Sequence, residues 1–199
     1  MTKIKLCGLS RPCDIDYVNE LLPEYIGFVF WEKSKRFVSP ERAKELRNKL
    51  RKEIIPVGVF VDEKIEEIAK LVKDGVIDIV QLHGKESEEY IEELRRRTAC
   101  PIIKAYLIKS EEDVIEANSS KADFVLLDSG LGGGKTFDHS LLKEINRPYF
   151  LAGGLTPENV GAAVKELKPF AVDASSSLET EGFKDKEKMT AFVKAVRKE

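Results

Sequence analysis

Two side chains of this sequence can move a proton to and from one small substrate. Cys7 and Asp128 each stand at the end of a short apolar run. A thiol and a carboxyl can act as general base and general acid when their pKa values are tuned towards neutrality. In the competing structural interpretation, Cys7 is an inert buried residue and Asp128 caps a helix or loop. The position of Cys7 directly before Gly8 at a strand end weakens the structural interpretation, and both interpretations stay open at this point.

Small and hydroxyl residues after two later apolar runs indicate an anion site. Gly153 and Gly154 allow a close approach of the backbone to a ligand, and Ser175 and Ser176 place hydroxyls near backbone amides. Barrel enzymes often bind a phosphate after their seventh and eighth strands. A pair of tight turns without a ligand is the alternative.

Other polar or aromatic residues are weaker candidates. His83 can carry a proton or contact a ligand, but a single histidine in the segment Gln81-Leu82-His83-Gly84 is more often a hydrogen-bonded structural group. Trp31 and Phe137 suit either packing or an aromatic substrate.

The glycine-rich segment from Ser129 to Thr136 imitates a phosphate-binding P-loop. It fails the pattern because Ser129 stands where the first glycine is required. We interpret it as a mobile lid whose amides can approach an anion, with His139 early in the helix that follows.

Eight apolar runs alternate with amphipathic helical patterns, as in a parallel sheet with crossover helices. Most runs lack polar alternation, which indicates strands covered on both faces. The predicted strands are Lys3 to Cys7, Ile26 to Phe30, Pro56 to Val61, Ile77 to Leu82, Pro101 to Leu107, Phe124 to Asp128, Tyr149 to Ala152 and Phe170 to Asp173.

Helical periodicity is clearest in Glu41 to Leu50 and Ile65 to Val72. Ser39-Pro40 and Thr156-Pro157 each place a capping hydroxyl before a proline at the first helical position. Seven crossovers and a closing helix are expected. A doubly wound sheet has the same alternation, but the count of eight favours a closed barrel without edge strands. We therefore predict a single α/β domain over residues 1–199, a (βα)8 TIM barrel.

Composition narrows the class of protein further. The 199 residues carry 33 basic and 35 acidic side chains, a balance that argues against a nucleic-acid partner. The three cysteines form no Cys-x-x-Cys pair, so neither a disulfide framework nor a zinc site is indicated, and a reducing compartment fits best. The apolar runs are too short to span a membrane, and a cytoplasmic protein is expected.

Eight short blocks in register resemble the phosphoribosylanthranilate isomerase family of tryptophan biosynthesis from end to end. The blocks are 5–10, 27–30 with 34–36, 57–61, 80–84, 126–129, 134–138, 151–155 and 173–176. The resemblance implies an Amadori rearrangement of N-(5-phosphoribosyl)anthranilate to the 1-deoxyribulose 5-phosphate derivative, without metal or organic cofactor.

The resemblance also assigns roles to particular residues. Asp128 matches the general acid and Cys7 the general base, while Arg36 matches the residue that holds the anthranilate carboxylate. The remaining matched residues are expected to bind the substrate, the last four of them through its phosphate: Gln81, His83, Gly153, Gly154, Ser175 and Ser176. The protein is expected to be a monomer or a homodimer.

Some positions depart from the family pattern. The last block commonly reads Asp-Val-Ser-Ser-Gly-Val-Glu, whereas this chain has Ala174 and then Ser177-Leu178 before Glu179. His139 stands where tryptophan is frequent, and the lid has Leu131 and an extra glycine. Three other functions remain open: a related sugar-phosphate isomerase such as that of the histidine pathway or a bifunctional relative, a nucleotide-binding protein using 129–136, and a catalytically silent barrel in an assembly.

Overall fold

A computed structural model describes residues 1–128 and 141–199. Eight parallel strands close into one barrel in chain order. The strands are β1 (Lys3–Cys7), β2 (Tyr25–Val29), β3 (Ile55–Phe60), β4 (Ile79–Leu82), β5 (Ile102–Leu107), β6 (Phe124–Asp128), β7 (Tyr149–Ala152) and β8 (Ala171–Ala174).

Closure of the barrel is visible at β1, which pairs with strands on both sides. Lys5 is in register with Tyr25 of β2 and with Asp173 of β8. A doubly wound sheet would leave β1 or another strand at an edge, so this register confirms the predicted (βα)8 barrel.

Helices cover the outside of the barrel. They are α1 (Pro12–Leu21), α2 (Pro40–Arg47), α3 (Ile65–Lys73), α4 (Glu88–Arg97), α5 (Glu111–Ser119), α6 (Val160–Leu167) and the closing helix α7 (Lys186–Arg197), with 3-10 turns at Leu141–Glu144 and Ser176–Leu178. In the described part of the chain, no helix combines the length and hydropathy that crossing a bilayer requires.

Alternation along each strand separates two cores. Leu6 and Phe28 point outward into the large core beneath the helices. Tyr25, Val57 and Phe150 point inward and fill the barrel. Because successive side chains of a strand alternate, Lys5 and Cys7 share the inward face of β1.

The predicted element boundaries need small corrections. Several strands begin or end one or two residues from the predicted positions. The helix expected over Glu41 to Leu50 ends at Arg47, because the Asn19 side chain bonds the Lys49 carbonyl and the Arg51 amide at 2.8 and 2.9 Å. These bonds hold the following backbone in a turn.

The start predicted at Thr156-Pro157 is wrong by three residues. The helix α6 begins at Val160, with Asn159 at the N-cap. The Asn159 side chain accepts from the Thr156 amide at 2.7 Å and donates to the Gly154 carbonyl at 3.0 Å. These bonds keep 157–159 in a turn, and the Thr156 hydroxyl accepts from the Glu158 amide within it. The start predicted at Ser39-Pro40 is confirmed, because the Ser39 side chain caps α2.

A short antiparallel hairpin follows β8 and was not predicted. Its strands are β9 (Glu179–Thr180) and β10 (Phe183–Lys184), with Glu179 opposite Lys184. Two-residue strands carry no periodicity that a sequence pattern could detect. The proposed lid over 129–136, Phe137 and the helical position of His139 lie outside the described residues.

Candidate active site

One cavity of about 620 Å³ lies at the carboxyl ends of the strands. It is lined by all nine residues that the sequence analysis selected: Cys7, Arg36, Gln81, His83, Asp128, Gly153, Gly154, Ser175 and Ser176. This is the end of a (βα)8 barrel at which active sites lie. Trp31, Ser34, Asp173 and Ser177 also line it. The structure thus brings the candidate residues together around one cavity.

Cys7 ends β1 and is buried at the base of the cavity, at 8% exposure. Gly27 of β2 lies beside it and provides the space for the thiol, because a Cβ at this position would come within 2.5 Å of the Cys7 Sγ. Burial raises the pKa of the Cys7 thiol, and the positive charges of Lys5 and Lys184 oppose that rise.

Lys5 is completely buried two residues before Cys7, on the same inward face. Its Nζ atom donates to the Oδ2 atom of Asp173 at 2.9 Å. Burial alone would lower the pKa of Lys5, but the charges of Asp173 and Cys7 outweigh burial and raise it. Lys5 is therefore a cation at neutral pH, beside the thiol. Among the described residues, the Oδ1 atom of Asp173 is buried without a hydrogen-bond partner.

Gln81 and His83 point into the cavity from the end of β4. Gln81 Nε2 lies 2.9 Å from His83 Nδ1. An amide donor in this contact makes Nδ1 the acceptor and leaves the ring proton on Nε2. Burial lowers the pKa of His83, so that the ring is neutral at pH 7.

The turn after His83 is fixed from behind by a buried ion pair. Lys104 Nζ donates to the Gly84 carbonyl and to the Glu86 carboxylate, both at 2.7 Å. Glu86 also accepts from the amides of Asp62 and Gly84. These contacts tie the segments after β3 and β4 to the interior of β5 and so hold the backbone directly after His83.

Asp128 ends β6 and is half-buried at the cavity wall. Its carbonyl accepts from the Ile108 amide at 3.0 Å, which anchors this strand end to the residue after β5. The negative charge of Asp128 acts on His83, where it opposes the effect of burial on the pKa of the imidazole. Asp128 and His83 are thus electrostatic neighbours at the mouth.

The glycine and serine loops after β7 and β8 meet at one side of the cavity. Gly153 and Gly154 have φ values of 88° and 63°, a region that strongly favours glycine. The Ser175 hydroxyl donates to the Cys7 carbonyl at 3.0 Å. Ser177, where the family commonly has glycine, donates to the Leu155 carbonyl and so joins the two loops. The departure at Ser177 therefore adds a tether between the loops.

Arg36 reaches the cavity from the loop after β2. Its Nε and Nη2 atoms donate to the two oxygens of Glu179, at 2.5 and 2.9 Å. Gly8, with a φ of 83°, lies directly against this side chain. A Cβ atom on Gly8 would be only 2.4 Å from the Arg36 Cδ atom. The close approach of Arg36 to the end of β1 thus requires a glycine there.

Four charged residues of the site were given no role in the sequence analysis: Lys5, Asp173, Glu179 and Lys184. Lys5 could have been found, because a lysine two residues before Cys7 in an apolar strand faces the same way. No local signal marks Lys184, which enters the site through the hairpin. In the described ranges 1–128 and 141–199, no group of three or more His, Cys, Asp or Glu could hold a metal.

Fold and site together define a class of protein: a (βα)8-barrel enzyme with proton-transfer groups beside an anion-binding mouth. A model of the family N-(5'-phosphoribosyl)anthranilate (PRA) isomerase matches residues 4–195. The chain belongs to this family and is an aldose-ketose isomerase of tryptophan biosynthesis.

Individual relatives match this chain in sequence over nearly its full length. The N-(5'-phosphoribosyl)anthranilate isomerase of Endomicrobium trichonymphae is 46% identical over 202 residues, covering 99% of both chains. That of Thermoanaerobacter sp. (strain X514) is 44% identical over 204 residues, covering 99% of this chain and 98% of the relative.

Solved structures of similar proteins have the same fold. The crystal structure of phosphoribosyl anthranilate isomerase from Thermotoga maritima superimposes with a TM-score of 0.92 at 36% identity, covering 100% of both chains. A second phosphoribosyl anthranilate isomerase, in complex with reduced 1-(o-carboxyphenylamino)-1-deoxyribulose 5-phosphate, has a TM-score of 0.89 at 35% identity and the same coverage. A third structure, of monomers generated from the dimeric T. maritima enzyme, has a TM-score of 0.86 at 34% identity and covers 99% of both chains.

Proposed function

We propose that Cys7 and Asp128 perform the proton transfers of the isomerisation for which this family is named. The observation that carries the proposal is that both side chains line one cavity of about 620 Å³, together with Arg36 and the two glycine and serine loops. The cavity is large enough for a sugar phosphate with an aromatic amine. Proton donor, proton acceptor and anion-binding groups thus surround one space.

In the first step, Asp128 in its acid form donates a proton to the furanose ring oxygen of N-(5-phosphoribosyl)anthranilate. The bond from C1′ to the ring oxygen breaks, and the nitrogen lone pair forms a protonated Schiff base. Asp128 becomes a carboxylate. The neutral His83 ring next to it carries no positive charge that would favour the carboxylate over the acid form before the transfer.

In the second step, the Cys7 thiolate removes the proton from C2′. The electrons of that C–H bond form the double bond of an enolamine and neutralise the iminium nitrogen. Tautomerisation then gives the ketone: the C2′ hydroxyl gives up its proton and C1′ receives one. Proton exchange with solvent returns Cys7 to the thiolate and Asp128 to the acid. C2′ is oxidised and C1′ is reduced within the same molecule, so the rearrangement needs no external oxidant or reductant.

Burial makes the Cys7 thiolate a stronger base, but it lowers the fraction of Cys7 that is ionised. A thiol with a raised pKa is mostly protonated at neutral pH, but its thiolate abstracts a proton strongly. Lys5 raises the ionised fraction again, because a neighbouring ammonium stabilises the thiolate. The pair Lys5–Asp173 therefore sets how much of Cys7 is in the active form.

The two anionic groups of the substrate would bind to different residues of the mouth. Arg36 would bind the anthranilate carboxylate, since a guanidinium pairs with a carboxylate through two parallel hydrogen bonds. Gly153, Gly154, Ser175 and Ser176 would bind the phosphate through backbone amides and hydroxyls. Gln81 and His83 would contact the sugar between them.

The direct test follows the fluorescence of the anthranilate adduct with purified protein in the presence of a chelator. We expect turnover of N-(5-phosphoribosyl)anthranilate without added metal, and its absence would contradict the proposal. A titration with ATP tests the nucleotide-binding alternative, and saturable binding would favour it. Arg36→Ala should raise KM by about 10-fold or more with a smaller effect on kcat, and an unchanged KM would remove Arg36 from carboxylate binding.

We further propose that the chain acts as one catalytic domain over residues 1–199, located in the cytoplasm. Three cysteines without a disulfide support the reducing compartment. A monomer and a homodimer are both compatible with this function, because every residue assigned above comes from one chain. Light scattering of the purified protein distinguishes the two states.

A further inference from the structure

The hairpin after β8 places a buried carboxylate beside the proposed substrate site. Glu179 lies in β9 with its side chain 5% exposed, and Lys184, opposite it in β10, is 1% exposed. Burying a charge is costly unless it is paired and hydrogen-bonded. The chain therefore maintains a charged group here that a surface hairpin does not require for its own stability.

The carboxylate of Glu179 is shared among three cations: Arg36, Lys184 and the exposed Lys35, whose Nζ atom lies 3.5 Å from Oε2. Its two oxygens accept from Arg36, and Oε1 also accepts from Lys184 Nζ at 2.7 Å. Burial alone would raise the pKa of Glu179, but the hydrogen bonds from Arg36 and Lys184 outweigh it and lower the pKa. Glu179 is therefore ionised at neutral pH.

The geometry of the Arg36 pair determines which donors face the cavity. Glu179 accepts from Nε and Nη2, the inner edge of the guanidinium. Within residues 1–128 and 141–199, Glu179 is the hydrogen-bond partner of the Arg36 side chain, so the outer edge with Nη1 is available to a ligand. An arginine that is already held loses less conformational entropy when a second carboxylate binds.

Glu179 is also connected to the loop assigned to the phosphate. Lys184 Nζ donates to the Ser175 carbonyl at 3.0 Å and to its hydroxyl at 3.3 Å. Ser175 in turn donates to the Cys7 carbonyl at 3.0 Å. The contacts of Glu179 thus extend from Arg36 to the end of β1.

We infer that Glu179 is a positioning residue of the isomerase: its buried carboxylate orients the Arg36 guanidinium for the carboxylate of the substrate. This inference rests on the proposed function of Arg36. It goes beyond that function by assigning a role to a residue that does not itself contact the reacting atoms.

The test compares two ligands that differ in one group. The first probe is reduced 1-(o-carboxyphenylamino)-1-deoxyribulose 5-phosphate, and the second is the same compound without the carboxyl group. Glu179→Gln should weaken binding of the first by about 10-fold, since a charge-assisted contact depends on the placement of Arg36. Binding of the second should change by less than about 2-fold, which a general loss of structure would not produce.

A double-variant comparison separates action through Arg36 from a general effect. Arg36→Ala and Arg36→Ala/Glu179→Gln should bind the carboxylated probe equally, because Glu179 has no guanidinium left to orient. Glu181→Gln is the matched control, since Glu181 is an exposed glutamate of the same hairpin. It should leave both affinities unchanged. If Glu179→Gln leaves Lys184 unpaired and does not fold, Glu179→Asp is used instead: it keeps the buried charge on a shorter side chain, and it should weaken binding of the carboxylated probe alone.

Three results would overturn the inference: equal weakening for both probes, no weakening for either, or a further loss in the Arg36→Ala background. Failure of the proposed function looks different. In that case the wild-type protein itself neither turns over the anthranilate adduct nor distinguishes the two probes.

Discussion

At the amino-terminal end of the strands the barrel interior is filled with aromatic rings, whereas at the carboxyl end it contains a thiol, an ion pair and a histidine. Phe150 contacts the rings of Tyr25, Phe124 and Phe170 at centroid distances of 5.4, 5.8 and 5.7 Å. At the mouth, Lys5 and Asp173 form a buried ion pair next to Cys7. The same strands thus provide packing at one end and chemistry at the other.

This difference indicates what each end contributes. Aromatic burial stabilises the barrel by removing apolar area from water. Buried charges contribute little net stability, because desolvation offsets their attraction. Substitutions at the two ends should therefore separate stability from activity.

The largest effect on activity is expected at the mouth. Cys7→Ser and Asp128→Asn should each lower kcat by about 10²-fold to 10⁴-fold, as is usual for loss of a general acid or base. The circular dichroism spectrum should stay unchanged. Steady-state kinetics with the anthranilate adduct measures the loss.

The matched control for Cys7 is the half-buried Cys100, which precedes β5 at the other end of the barrel. Cys100→Ser should leave kcat unchanged. Wild-type turnover of Cys7→Ser or Asp128→Asn would remove that residue from the mechanism.

The largest effect on stability is expected at the opposite end. Phe150 is completely buried, so Phe150→Ala should lower the free energy of unfolding by about 3–5 kcal/mol through lost burial and a residual cavity. Urea unfolding measures this change. At a temperature where the variant is folded, kcat should stay within about 2-fold of wild type, and a loss comparable to that of Cys7→Ser would contradict the separation of the two ends.

A smaller effect is expected from the pH dependence of Cys7. Because burial raises the pKa of the thiol and alkylation requires the thiolate, the alkylation rate of Cys7 should increase as pH rises from neutral into the alkaline range. Lys5→Met removes the cation that opposes the shift, so the rising limb should move to higher pH. The pH profile of the alkylation rate of Cys7, in a Cys13→Ser/Cys100→Ser background, measures the change.

Lys5→Met also leaves the buried Asp173 without its partner, which can cost about 3–5 kcal/mol of stability. The double variant Lys5→Met/Asp173→Asn avoids this cost. Asp173 raises the pKa of Cys7, so its removal offsets part of the effect of Lys5→Met. The rising limb of the double variant should therefore lie between those of wild type and Lys5→Met. An identical pH profile in all three proteins would contradict a role of Lys5 in thiol ionisation.

Much of the fold was predictable from local pattern. Runs such as Phe124–Asp128 and Tyr149–Ala152 were predicted with their observed bounds, because a strand covered on both faces is a nearly continuous apolar run. Helix ends were harder to predict. The turn at 157–159 and the end of α2 at Arg47 depend on the side chains of Asn159 and Asn19, which bond neighbouring backbone instead of continuing a helix.

The candidate residues were also predictable as a set, because the carboxyl ends of all barrel strands meet at one mouth. The sequence by itself therefore determined the eight-fold alternation, the residues at the strand ends and the family resemblance. Each of these features depends on a residue and its near neighbours along the chain.

The tertiary structure decided which charges meet. Lys5 and Asp173 are 168 residues apart, and Arg36 and Glu179 are 143 apart, yet each pair is in direct contact. Barrel closure brings β1 beside β8, and the hairpin after β8 folds Glu179 and Lys184 towards the mouth. Such pairs depend on the path of the whole chain, because a charge-charge contact requires a separation of a few ångströms in space that no spacing along the sequence specifies.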